Sequence, residues 1–133
     1  MTKFLVLTRH DSELDVPPMD QWDPADMTAH LEYLTRLNDE LAAKGELVEM
    51  NALAAPELAK TVSADGRSTP VITDGPFPEA KEVLAGYQLL DVESEERALE
   101  IAALVSSAPG PDGVPLRQRI EVRQVMWSRS DEM

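Results

Sequence analysis

The chain contains no cysteine, which removes disulfides, thiolate nucleophiles and every cysteine-ligated zinc or iron–sulfur site. Positive charge is scarce: 12 Lys plus Arg stand against 25 Asp plus Glu, a formal net charge of −13. Phosphate backbones and anionic lipid surfaces call for a net basic face and the counterion release it drives, so neither nucleic acid nor a membrane is expected as a partner. Long apolar runs are missing too. The first, Phe4 to Leu7, ends at Arg9-His10-Asp11, far short of a signal-peptide core or the roughly 18 residues of a membrane span. The expected location is therefore cytoplasmic. Aromatics make up only 5% and histidines number two, so each of these residues carries information. What is present is 133 residues with 43% hydrophobic content, enough for one domain, residues 1–133, with a real core.

The apolar pattern predicts a strand over Lys3–Arg9, followed by a polar stretch to Asp26 in which Pro17, Pro18 and Pro24 oppose regular structure. Asp23 as N-cap, Pro24 at the first helical position and Gly45 past the end bracket a helix over Pro24–Lys44. Its expected stripe is Met27, Leu31, Leu34, Leu37 and Leu41. Strands are expected at Glu46–Asn51, at Ala59–Ala64 and Thr69–Thr73 around a two-residue Asp65-Gly66 turn, at Ala85–Val92 and at Ile120–Met126. A second helix runs over Ser94–Ser107, capped by Ser94, with Ala98, Ile101, Ala102 and Val105 inward. This order predicts an α+β fold: a ferredoxin-like split βαβ sheet with an inserted hairpin. Two helices cover only one sheet face, so a homodimer packed sheet on sheet is expected to cover the other.

Few residues suggest chemistry. His30 lies three residues after Met27 and four before Leu34, inside the apolar stripe. The plainer reading is a core histidine bonded to backbone; the functional one is an inward general acid/base. His10, Asp11, Glu13 and Asp15 form a polar cluster whose spacing fits no calcium loop, and it reads as a solvated surface without a metal. Asn38, also in the stripe, is expected to bond locally. No phosphate loop or nucleophile elbow is present, and no cofactor is implied.

The segment Thr73-Asp74-Gly75-Pro76-Phe77-Pro78-Glu79-Ala80-Lys81-Glu82 is a sharp turn that presents one acid, Asp74, with Phe77 available to plug an apolar gap. It resembles the motif DGPF-x-E-x-KE of the YCII-related family, with every motif position filled. The likeness extends to Gly86-Tyr87, to Glu121-Val122-Arg123 and to the His30 helix. The stretch His10–Trp22 departs from it, being longer and richer in proline. The resemblance implies a dimeric α/β-barrel arrangement and a His/Asp site with the histidine on the first helix, the position that His30 matches. It also implies lyase, isomerase or dehydrochlorinase chemistry in one branch, and association with extracytoplasmic-function sigma factors in others.

Two functions follow as expectations. One is a small-ligand-binding protein, enzymatic through the pair His30 and Asp74, with His10, Phe77 and Tyr87 as further ligand contacts. The other is a non-catalytic accessory protein with a regulatory partner such as a sigma factor.

Overall fold

In a computed structural model, residues 1–11, 15–75 and 82–129 are described. The elements are β1 (Thr2–Asp11), α1 (Pro24–Ala43), β2 (Leu47–Ala52), β3 (Lys60–Ser63), β4 (Val71–Asp74), β5 (Glu82–Val92), α2 (Glu95–Ser106) and β6 (Ile120–Gln124), with short 3-10 turns at Met19–Gln21, Pro56–Leu58 and Pro111–Gly113. The helix ends follow the caps. The Asp23 carboxylate accepts from the Ala25 amide at the start of α1, Ser94 Oγ accepts from the Arg97 amide at the start of α2, and Gly45 takes the left-handed conformation (φ 74°) just after α1.

Four strands form one antiparallel sheet in the order β2-β5-β1-β6, and β3 and β4 form a separate two-stranded hairpin. Because β1 and β2 both run against β5, and β5 and β6 both run against β1, each helix connects parallel strands with one strand between them. This is the ferredoxin-like arrangement, with β3–β4 as the insertion. The connection at the hairpin tip is longer than a two-residue turn. The last pair is Ser63 with Val71, and the Asp65 carboxylate accepts from the Arg67 and Ser68 amides instead, an Asx turn that takes over the role of the tight β-turn.

Pairing parity decides which residues the helices cover. Phe4 pairs with Leu90, and Val6 with Gln88 and Val122; these side chains share the helix-covered face. Phe4, Val6, Leu90 and Val92 are buried there with Leu37 and Leu41 of α1 and Ala98, Ile101, Ala102 and Val105 of α2, while Leu47, Ile120 and Val122 pack at the margin. Each fully buried large side chain in such a core contributes about 1.5–3 kcal/mol. The inward residues of α1 are His30, Leu37 and Leu41, with Met27 and Leu34 half-buried, and Leu31 is exposed. Steps of 3, 4, 3 and 4 from Met27 through His30 track the 3.6-residue turn more closely than a stripe through Leu31 would. Asn38 does not bond locally: its Oδ1 accepts from Nε2 of Gln88, a buried residue on β5, which joins helix to sheet through a polar pair inside the core.

Glu46, at the start of β2, grips Arg97 of α2 by two parallel bonds of 2.9 Å. Both side chains are largely buried, and Arg97 holds the Glu46 carboxyl below its ordinary value of 4.5. A depressed folded-state pKa stabilises the fold above the unfolded value and loses that contribution as acid protonates the carboxylate. Glu46→Gln is therefore expected to lower stability by about 1–3 kcal/mol at neutral pH. The deficit relative to wild type should shrink as the pH falls below 4.5, and denaturant melts of both proteins between neutral and acid pH check this.

Candidate functional site

His30 sits on the inward side of the first half of α1 and is 5% exposed. Its Nδ1 lies 2.9 Å from the carbonyl oxygen of Pro109. A carbonyl only accepts, so Nδ1 carries the proton and, in the neutral ring, Nε2 is the basic nitrogen. The acceptor belongs to a tightly closed loop after α2, in which the Leu116 amide donates to Ala108 O and the Gly110 amide to Val114 O. Gly110 lets Leu116 pack close against the loop, since a Cβ would fall 2.6 Å from Leu116 Cδ2 and displace that side chain. A second tie runs from the Asp112 amide to the Asp26 carboxylate of α1.

Above the imidazole stands Trp22, edge to face, with ring centroids 5.5 Å apart at 88°. The indole is itself buried, and its Nε1–H donates to Pro17 O at 2.8 Å. Trp22 belongs to the proline-rich stretch between β1 and α1, and its part in the His30 environment is not evident from composition. The available signal was positional. Trp22 precedes the Asp23 cap and Met27 is the fourth helical residue, the spacing of a hydrophobic staple.

The other candidate residues lie elsewhere. Asp74 ends β4 on the inserted hairpin, where its side chain is 83% exposed and forms an ion pair with Lys60 across the strands. Gly75 follows in the left-handed conformation (φ 75°) expected of it, its amide donating to Ala59 O; the rest of the expected turn lies outside the described residues. His30 and Asp74 are not bonded to each other; each has its own partner. Tyr87 alternates with the buried Gln88 and so faces the uncovered side of the sheet, where its hydroxyl accepts from Asn51 Nδ2 and lies 3.3 Å from Glu49 Oε1. His10 is exposed near the end of β1. Phe77, expected to act as a plug or a ligand contact, lies outside the described residues, as do Pro76, Pro78, Glu79, Ala80 and Lys81 of the motif and Glu13 of the polar cluster. Among the described residues, one shallow depression runs along the outer side of α1 by Thr28, Thr35 and Asp39 and another lies by Lys44, Glu93 and Arg97; neither is lined by His30 or Asp74. Among the described residues no cluster of three or more His, Asp or Glu side chains is arranged to hold a metal ion.

The strength of the His30 anchor is measurable. His30→Ala leaves the Pro109 carbonyl without its donor and is expected to destabilise by about 1–3 kcal/mol in denaturant melts. His30→Asn, whose Nδ2 can reach the position of Nδ1, should recover part of that loss. Nitrogen NMR of the wild-type imidazole should show Nδ1 as the protonated nitrogen of the neutral ring.

A search of curated proteins finds no match to the chain. The family model of the YCII-related domain matches residues 3–109, a span that runs from β1 to Pro109, the residue whose carbonyl holds His30. The chain belongs to the YCII-related domain family.

Proposed function

We propose that this protein binds a small organic ligand and transfers a proton on it through His30. The supporting observation is the Nδ1–Pro109 bond, which fixes the ring and leaves Nε2 as the basic nitrogen of the neutral imidazole, one requirement of a general base. The ligand class is a small molecule with an acidic C–H or a leaving group beta to one, the substrates of lyases and isomerases. In this reading Asp74 is the second acid. It is paired with Lys60 on the exposed hairpin, so the base is assigned to His30 and Asp74 is kept as the second residue of the proposed pair. The protein acts as a cytoplasmic homodimer closed over the uncovered sheet face, where Leu5, Leu7, Tyr87 and Leu89 are each half-buried and form an apolar strip between polar edges.

Burial of His30 and its bond to backbone support a second reading, in which the imidazole only fastens α1 to the loop after α2. The protein is then a non-catalytic accessory, with a sigma factor as its regulatory partner.

Exchange of C–H for deuterium in a panel of small carbonyl and hydroxyaromatic compounds, followed by proton NMR, separates the two. Catalysed exchange that falls by about 100-fold or more in His30→Asn supports the first reading. Exchange that survives that substitution removes His30 as the base, and no exchange on any member favours the accessory role. Unchanged exchange in Asp74→Asn would remove Asp74 alone. Light scattering is expected to give twice the 14.7 kDa chain mass, and the single mass would exclude the dimer.

A further inference from the structure

Charge is unevenly distributed over this acidic chain. Arg117, Arg119 and Arg123, three of its 12 cationic residues, fall within seven positions that contain a single acid, Glu121. That stretch overlaps β6, the last strand in the order β2-β5-β1-β6; among the described residues no strand pairs with its outer edge. The Val125 amide donates to Lys3 O at 2.9 Å, so residues of the same parity, Arg123 and Glu121, turn their backbone groups toward β1. Ile120, Val122 and Gln124 consequently turn their N–H and C=O groups outward. Just beyond, Met126 and Trp127 are 97% and 62% exposed.

We propose that the outer edge of β6 is a docking edge for an extended acidic segment of a partner protein, which adds a fifth strand to the sheet. Outward backbone groups supply the ladder, the arginines supply the charge complement, and Trp127 offers an apolar contact at the end of the strand. Charge decides against a second copy of this chain as the occupant. Two β6 edges side by side would gather six arginines around two Glu121 carboxylates, each already bonded at 3.1 Å to Arg9 of its own chain. An acidic strand reverses that balance.

The test uses the full chain and a fluorescein-labelled peptide of alternating Glu and Val, with an alternating Lys and Val peptide as control, read by anisotropy. The acidic peptide is expected to bind, the basic one not, and binding should weaken as salt rises. Arg123→Glu, at a side chain 73% exposed, should weaken binding about tenfold or more. Gln124→Pro removes an outward N–H without touching the β1 ladder and should abolish binding; if its thermal melt differs from wild type, Arg123→Glu decides. Absence of binding, equal binding of the basic peptide, or binding undiminished in these variants would overturn the proposal. So would a homodimer that Gln124→Pro splits, which would give the edge to a second copy.

Discussion

The period-two alternation of the two central strands governs most of this molecule. β1 and β5 pair Phe4 with Leu90 and Val6 with Gln88, and by the same register Leu5 with Leu89 and Leu7 with Tyr87. One parity lies beneath α1 and α2 and is buried; the other faces away from both helices. A slip of one residue would exchange the two sets and expose the core. The bulges at Thr8/Arg9 and Leu47/Glu49 adjust the ends of the sheet without disturbing its centre. Gly86 allows the close passage of β2 near one such end, since a Cβ there would meet Asn51 O at 2.8 Å.

Among the described residues two buried polar side chains, Gln88 and His30, lie inside this frame. Gln88 occupies an apolar parity position on β5 and is accommodated because Asn38 faces it from α1. His30 occupies a stripe position on the same helix and is accommodated because the Pro109 carbonyl faces it. In both cases a polar side chain in a hydrophobic pattern forces a partner from a distant part of the chain, since an unpaired group there would lose its hydrogen bonds to water without replacement. The bond at His30 also selects a tautomer, and that turns a packing contact into a proposal about chemistry.

Electrostatics divides the molecule differently. The acids give it the net charge of −13, yet the bidentate pair of Glu46 with Arg97 is largely buried and ties the start of β2 to α2, whereas Lys60 with Asp74 is exposed on the hairpin. Exposed pairs of the second kind contribute little. Asp74 is thus held on the hairpin by strand geometry more than by the energy of its ion pair.

The sequence by itself determined the number and type of the principal elements, the helix caps at Asp23 and Ser94, the inward face of α2 and the ferredoxin-like order with its inserted hairpin. These depend on local spacing: 3.6 and 2.0 residue periods, capping side chains, and glycines where φ is positive. It also singled out His30 as a polar residue in an apolar stripe. Tertiary structure alone decided what His30 meets, because Pro109 is 79 residues away and neither it nor Trp22 carries a chemical signature of that role. The same holds for Asn38, whose partner Gln88 lies across the helix–sheet interface, and for Asp74, whose place at the end of the hairpin was legible but whose partner Lys60 was not. Local pattern dictates which face of an element is apolar; only the packing of distant segments dictates which polar groups are brought together within it.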